Sequence, residues 1–212
     1  MTTEIDVSAR AHLRRNDAKL AAWMDRIGDL PVPRPQRFAL VHALARSIIF
    51  QQLNGKAAET IFARLQHAIG GRTVSAQALK QVDESSLRAA GVSGNKARAL
   101  KDLAEHALAR RLPTPAALAA MTDEQAIERL TIVRGIGPWT VQMLLMFRMG
   151  RADVLPLSDY GVRAGAQLVH GLGQMPSVKE LDALGQAWRP YRSLASLYLW
   201  RALDQARERN SQ

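Results

Sequence analysis

The sequence contains no cysteine among its 212 residues. Disulfides, thiolate zinc sites and cysteine-ligated iron–sulfur clusters are therefore excluded. Aromatic residues are also scarce, at 5% of the chain, while alanine and aliphatic side chains supply most of the 47% hydrophobic content. Alternating β-branched segments are few as well. This composition disfavours sheets and favours helices.

Long hydrophobic runs are missing too. No stretch of about 18 apolar residues occurs, and the polar start, residues 1–6, lacks the apolar segment of a signal peptide. We therefore expect a chain that is neither membrane-spanning nor secreted, and that is cytoplasmic if bacterial. None of the five histidines is spaced with a second ligand in the manner of a metal site, so no cofactor is implied.

Acidic residues are outnumbered by basic ones, 19 to 29, which leaves a net charge of +10. Such a surplus suits a nucleic acid partner, although a basic surface also serves solubility alone. Lys96, Arg98 and Lys101 open a helix predicted over residues 95–111. They either face phosphates or form an ordinary solvated surface.

The most informative stretch runs from Thr131 to Thr140. The sequence from Thr122 to Gln125 has the form of a capping box and predicts the start of a short helix before it. Gly135 and Gly137 then break that helix, and Pro138 suits the first turn of a second helix extending to residue 149. The pattern predicts two helices joined by a tight glycine turn.

Such a turn is a natural anion site. The main-chain amides of Gly135, Gly137 and Thr140 lie at the positive end of the second helix, where a nucleic acid phosphate can bind without any base being read. The alternative is an ordinary helix–helix turn that happens to contain two glycines.

Apolar residues at helical spacing predict further helices on both sides of this turn. Their ranges are 8–27, 38–49, 56–69, 76–82, 85–90, 95–111, 159–170, 177–188 and 191–207. Three prolines between residues 31 and 35 predict a stiff linker after the first of them.

Four sequence blocks together resemble a known family. Gly135-Ile-Gly-Pro-Trp-Thr140 is followed, one helix and a short extended segment later, by Asp159. The other blocks are Arg46-Ser-Ile-Ile-Phe-Gln-Gln-Leu53, Gly94-Asn-Lys-Ala-Arg98 and Trp188-Arg-Pro-Tyr-Arg-Ser193. Over most of residues 40–205 the chain resembles the helix-hairpin-helix superfamily of base-excision DNA glycosylases, and within it the 3-methyladenine DNA glycosylase II family.

The resemblance implies two helical lobes with a cleft between them. Residues 40–150 would carry a DNA wedge loop and the helix-hairpin-helix, while 1–39 and 151–212 would form the lobe with the catalytic aspartate. Only about 39 residues precede the helical block, too few for the amino-terminal β-domain of larger relatives, so the resemblance implies an all-α fold. The four-cysteine cluster of some other relatives is absent.

The implied activity is monofunctional. A monomer would flip alkylated bases of the 3-methyladenine type out of double-stranded DNA and remove them by hydrolysis, and in a bacterium it would associate with the nucleoid. Asp159 would be the catalytic carboxylate that opposes the positive charge on the sugar. Its alternative role is to cap the following helix, and Asp153 is the rival carboxylate.

Trp139 stands where bifunctional relatives have a lysine that forms a Schiff base, which implies that this chain does not cleave the strand. With Met143 and Trp200 it would line the base pocket, although tryptophans more commonly fill a core. At two positions the sequence departs from the family pattern, and these departures leave the substrate range open. Arg134 replaces a usual proline, and Met143 replaces an aromatic residue of some relatives.

The resemblance also places a wedge at Leu53, with Gln52 beside it, to fill the hole left by the flipped base. The alternative is that Gln51 and Gln52 cap a helix while Leu53 packs inward.

In relatives the hairpin carbonyls, here those of Thr131, Val133 and Ile136, hold a monovalent cation, and no other metal is required. The competing function is a non-catalytic DNA-binding module, which needs the hairpin but neither Asp159 nor the pocket tryptophans. A purely structural helical protein would leave the basic surplus unexplained.

Overall fold

The structure is a computed structural model that describes residues 4–210. These residues form helices and no strand, which confirms the all-α prediction. The chain divides into two compact units, residues 37–144 and residues 1–36 with 145–212. We call the first the hairpin unit and the second the carboxylate unit. Of the predicted second lobe, residues 1–3 and 211–212 lie outside the described part of the chain.

The described residues contain thirteen α-helices and one short 3₁₀ helix. In chain order they are α1 (Glu4–Asn16), α2 (Ala18–Ile27), α3 (Leu40–Phe50), α4 (Gly55–Ala68), α5 (Ala76–Gln81), α6 (Glu84–Ala89), α7 (Gly94–Leu108), α8 (Pro115–Ala120), α9 (Asp123–Leu130), α10 (Pro138–Phe147), α11 (Tyr160–His170), α12 (Val178–Gly185), the 3₁₀ helix Gln186–Trp188, and α13 (Arg192–Asn210). None of these helices has both the length and the apolar character needed to cross a bilayer.

Short polar side chains explain where many of these helices begin. The capping box is present, since Thr122 accepts from the Gln125 amide at 3.2 Å and the Gln125 side chain accepts from the Thr122 amide at 2.9 Å. The single helix predicted over residues 8–27 is wrong. Asp17 interrupts it, because its carboxylate caps α2 by accepting from the Leu20 amide at 2.9 Å.

In the hairpin unit, the largely apolar helix α3 packs against α4 and α7. Helix α5 also packs against α7. Leu44, Ile48 and Ile49 of α3 are buried together with Leu100 and Leu103 of α7. The apolar stripe of α3 therefore forms a core that fixes the chain segment following it.

In the carboxylate unit, α2 packs against α11 and α13, and α1 packs against α2. Trp188 and Tyr198 are fully buried at the centre of this core. The hydroxyl of Tyr198 accepts from the Leu30 amide at 3.1 Å, so the aromatic core is also tied to the backbone after α2.

Helices α11 and α13 approach each other at two glycines spaced one turn apart. A Cβ on Gly165 would lie 2.3 Å from the carbonyl oxygen of Leu199. A Cβ on Gly161 would lie 2.7 Å from Cδ1 of Trp200. Both glycines are therefore required for the close packing that brings Trp200 to the start of α11.

Candidate active site

The turn between α9 and α10 is closed by local and distant hydrogen bonds. Gly135 has φ of +78°, which glycine adopts readily. The Ile136 amide donates to the Val133 carbonyl at 3.0 Å, and the Arg134 amide donates to the Asp102 carboxylate of α7 at 2.7 Å. The turn is thus held in one conformation by its own backbone and by α7.

Gly137 differs from Gly135. A Cβ on Gly137 would meet nothing within 4 Å, and its φ lies outside the left-handed region. Nothing within the described protein requires glycine here. The Val141 amide donates to the Gly137 carbonyl at 3.2 Å. The Thr140 amide lies one residue before it, nearer the start of α10. A glycine that leaves this helix end uncovered is suited to the close approach of an external anion.

The carbonyl of Val133, one of the three oxygens expected to hold a monovalent cation, already accepts the Ile136 amide. A carbonyl has a second lone pair, so this bond is compatible with a cation, which stays a prediction. Within residues 4–210, no group of three or more histidine, aspartate or glutamate side chains is placed to hold a metal ion.

A cavity of about 430 Å³ lies beside the hairpin within the same unit. It is lined by Arg46, Ser47, Phe50, Gln51, Gln52, Trp139, Thr140 and Met143. Trp139 is 45% exposed, so it is not a core-filling tryptophan. Two of the three predicted base-pocket residues, Trp139 and Met143, therefore border one open cavity together with the predicted wedge residue Gln52.

The α3–α4 loop, residues 51–54, follows the buried helix α3. Gln52 has φ of +55°, a left-handed conformation that is uncommon for a residue with a side chain. Leu53 is 39% exposed, so the alternative in which it packs inward is wrong. Gln52 and Leu53 both stand at the loop surface, and the choice of wedge between them stays a prediction.

Arg46 is a cavity residue that the sequence analysis did not identify as part of the site. Its guanidinium lies over the Phe50 ring, 3.7 Å from the ring centroid, and Glu59 lies 4.0 Å away. The spacing of Arg46 and Phe50 by four residues on a predicted helix is the signal that places them side by side.

Asp159 caps α11, which is one of the two roles considered for it, and its catalytic role stays a prediction. Its Oδ1 atom accepts from the Val162 amide at 2.7 Å as the N-cap of α11, and from the indole Nε1 of Trp200 at 2.8 Å. Trp200 also stacks on Phe147, with ring centroids 6.2 Å apart and an interplanar angle of 26°. The carboxylate is held in a fixed orientation beside a pair of aromatic rings.

Two further aromatic residues belong to this surface and were missed from the sequence. Tyr160, directly after the carboxylate, is 63% exposed, and Phe147 at the end of α10 is 39% exposed. Large apolar side chains left in solvent next to a half-buried carboxylate are a feature of binding surfaces rather than cores. The position of Tyr160 next to Asp159 was the available signal.

The rival carboxylate, Asp153, forms ion pairs with two arginines. Arg192 Nε donates to its Oδ1 at 2.6 Å, and Arg189 donates to its Oδ2 at 2.9 Å. Arg192 also donates to the Asp153 main-chain oxygen at 2.7 Å. Two guanidinium groups thus neutralise and fix Asp153, as expected for a structural ion pair.

Two of the three basic side chains singled out on α7 donate to main-chain carbonyls of the same unit. Lys96 donates to the carbonyls of Ile49 and Gln51, and Lys101 donates to those of Lys80 and Val82. Both ammonium groups therefore satisfy carbonyls at helix ends, which gives them a structural role, and phosphate contact by Lys96 and Lys101 stays a prediction. Arg98 is exposed and stays a candidate.

Known proteins are similar to this chain in sequence and in fold. Residues 45–190 match the model of the HhH-GPD superfamily base excision DNA repair proteins. DNA-3-methyladenine glycosylase 1 of Schizosaccharomyces pombe is 35% identical over 159 residues, covering 74% of this chain and 70% of that protein.

Two solved structures are similar over nearly the whole chain. A DNA-3-methyladenine glycosidase from Bacillus halodurans superposes with a TM-score of 0.82 at 34% identity, covering 93% of this chain and 89% of the other. The S. pombe 3-methyladenine DNA glycosylase in complex with abasic DNA gives a TM-score of 0.80 at 31% identity, covering 92% and 95%.

Proposed function

Because this chain belongs to the HhH-GPD superfamily of base excision DNA repair proteins, we propose that it is a monofunctional DNA glycosylase that removes alkylated bases from duplex DNA. The single observation that carries the proposal is Asp159, a half-buried carboxylate fixed by a helix amide and by Trp200. A DNA-binding module would need no such group.

Asp159 supplies the charge that the reaction requires. As the N-glycosidic bond breaks, the departing base takes the bonding electron pair and the sugar becomes an oxocarbenium-like cation. A fixed carboxylate stabilises that cation and orients a water molecule, whose oxygen forms the new bond to the sugar carbon and whose proton is released. The products are a free base and an abasic site.

The cavity that contains Trp139 suits an alkylated purine. An alkyl group on a ring nitrogen gives the base a positive charge, which is attracted to the electron-rich face of an indole. The same charge makes the base a good leaving group. Met143 in the cavity is flexible and polarizable, so it accepts bases of different shapes.

Trp139 cannot form a Schiff base, because an indole has no nucleophilic amine. The enzyme therefore uses water and leaves the strand uncut. The hairpin amides bind the DNA backbone without reading sequence, and the enzyme acts as a monomer on DNA.

Incubation with a panel of duplexes tests the proposal, each duplex carrying one 3-methyladenine-type, 7-methylguanine or 1,N6-ethenoadenine lesion. Alkali then cuts any abasic site. We expect alkali-dependent cleavage of at least one modified strand, and no covalent adduct trapped by borohydride. Binding to every duplex without any abasic product would favour the non-catalytic module instead. A trapped adduct would contradict the monofunctional assignment.

A further inference from the structure

A half-buried lysine fixes the α3–α4 loop at its first residue. The Lys96 ammonium, in the first turn of α7, donates to the Ile49 carbonyl at 2.7 Å and to the Gln51 carbonyl at 2.8 Å. Because α3 ends at Phe50, these carbonyls belong to the group that a helix leaves without intrahelical partners. Lys96 therefore closes the end of α3 and fixes the direction in which the loop leaves it.

The same loop is joined to the hairpin by a side chain. The Gln51 amide nitrogen donates to the Gly135 carbonyl at 2.7 Å, across 84 positions of sequence. At its other end the loop is fixed by Asn54, which caps α4 by accepting from the Ala57 amide at 2.8 Å. Both ends of a four-residue segment and one of its side chains are thus held.

The conformation that these bonds hold is a strained one. Gln52 is one of two non-glycine residues with positive φ within residues 4–210, and the left-handed region is disfavoured for any residue with a Cβ. A side chain in this region persists only when the surrounding contacts fix it. The result is that Gln52 and Leu53 project from the surface beside the cavity that contains Trp139.

We propose that Lys96 and Gln51 are positioning residues that hold the α3–α4 loop ready for insertion into the DNA stack and couple it to the phosphate-binding hairpin. The inference rests on the proposed function, since it assigns the loop a role in DNA. It concerns neither the wedge side chain itself nor the chemical step. Lys96 acts through Ile49 and Gln51, and Gln51 acts through Gly135.

Burial agrees with this role for Lys96. Desolvation under the loop lowers the pKa of the Lys96 ammonium from its ordinary value. A lysine that only attracts phosphate is expected to be fully solvated and to make no bonds to carbonyls. A lysine that fixes backbone carbonyls must contact them directly and is therefore partly desolvated.

The chain offers a matched control on the same helix. Lys101 also donates to two carbonyls, those of Lys80 and Val82 at the end of α5, and it lies five positions after Lys96 on α7. Lys96→Met and Lys101→Met each remove one charge and two hydrogen bonds to carbonyls. Only the first substitution affects the loop.

The test uses a duplex with a tetrahydrofuran abasic analogue opposite 2-aminopurine, so it needs no excision and no knowledge of the lesion. Wild type and Lys101→Met should change the 2-aminopurine fluorescence on binding and prefer this duplex over an undamaged one. Lys96→Met should lose most of the fluorescence change. Its preference for the abasic duplex over the undamaged one should fall about tenfold, because two charged hydrogen bonds are lost. Affinity for undamaged duplex should fall equally in both variants, because each loses one charge.

Two further variants guard against a folding defect. Lys96→Arg keeps a cation and should restore part of the fluorescence change. Gln51→Met leaves both Lys96 bonds to main-chain oxygens in place and removes only the bond to Gly135, so it should reduce the preference for the abasic duplex by several-fold. If all of these variants matched Lys101→Met in fluorescence and preference, the proposal would be wrong. Failure of wild type to prefer the abasic duplex would instead contradict the proposed function.

Discussion

The carboxylate unit contains the same arrangement twice. Asp17 accepts from the Leu20 amide at the start of α2 and from the Trp188 indole at 2.7 Å. Asp159 accepts from a helix amide at the start of α11 and from the Trp200 indole at 2.8 Å. In both cases a helix N-terminus and an indole N–H fix one carboxylate.

The two arrangements differ in their surroundings. The Asp17 side chain is 9% exposed, Trp188 is 0% exposed, and His170 lies 3.4 Å from the carboxylate. Asp159 and Trp200 are only half-buried and adjoin the exposed rings of Tyr160 and Phe147. Hydrogen bonding therefore orients a carboxylate, but access decides whether it can meet a substrate and water. The Asp17–Trp188 arrangement, which we call the covered copy, stabilises the fold. The Asp159–Trp200 arrangement, which we call the open copy, is accessible to a substrate.

The largest effect expected from this difference is on catalysis at Asp159. Asp159→Asn keeps the size and most of the capping ability of the side chain, so DNA binding and thermal stability should change little. It removes the charge that opposes the sugar cation, which is worth on the order of 3 kcal/mol or more. Single-turnover base excision should therefore fall by about a hundredfold or beyond.

Asp153→Asn is the control for that experiment, because Asp153 is six positions away and already paired with two arginines. It should leave the excision rate nearly unchanged. Near-normal excision by Asp159→Asn, with stability retained, would remove Asp159 from the mechanism.

The covered carboxylate should affect stability instead. Asp17→Ala removes the cap of α2 and leaves the buried Trp188 N–H without an acceptor, so the free energy of unfolding should fall by about 2 kcal/mol. Urea unfolding measures this loss. The excision rate of the remaining folded protein should match wild type, and a loss of rate as large as that of Asp159→Asn would show that the two copies are not functionally distinct.

Gly161→Ala tests whether the open copy depends on helix packing. The new Cβ would lie 2.7 Å from Cδ1 of Trp200 and 3.1 Å from Oδ1 of Asp159, so the indole must shift relative to the carboxylate. We expect excision to fall about tenfold, equivalent to about 1.4 kcal/mol. Gly173→Ala is a suitable control, since a Cβ there meets nothing within 4 Å. Equal rates for the two variants would mean that the position of Trp200 does not matter.

The smallest effect concerns pH and the covered copy. Burial lowers the pKa of His170 below its ordinary value of 6.5, with Asp17 opposing the shift and Lys19 adding to it. As pH falls through about 6.5, the unfolded chain takes up a proton before the folded one does, so stability should fall on the acid side. His170→Gln should flatten this dependence between pH 7.5 and 5 in urea unfolding. An unchanged slope would exclude His170 as its source.

Much of the fold was predictable because its signals are local. The capping box at Thr122, the two glycines and Pro138 predict the hairpin within a span of 17 residues. The start of α8 was overlooked although Thr114 and Pro115 are a cap and a first-turn proline. The break at Asp17 was not predicted, because apolar residues at helical spacing continue across it. Periodicity alone therefore does not reveal that Asp17 caps a second helix.

The arrangement of the site was not predictable, since it depends on contacts between distant residues. Asp159 and Trp200 are 41 positions apart, and Gln51 and Gly135 are 84 apart. Sequence patterns identify a residue as a cap or an aromatic, but only the packing of α11 on α13 makes one indole the partner of one carboxylate. The ion pairs that occupy Asp153 are likewise invisible in the sequence around it.

The glycine pair of α11 has a consequence for how this protein can be altered. Gly165 packs against the Leu199 backbone of α13 and Gly161 packs against the Trp200 ring, and together they fix the register of α13. The spacing between Asp159 and Trp200 therefore does not depend on the length of the chain that joins the two helices. Surface insertions near residues 173–175 should therefore be tolerated, whereas adding or removing one residue inside α13 before Trp200 would rotate the indole by about 100° around the helix axis. A designer can lengthen the connection freely but must leave the helix register untouched.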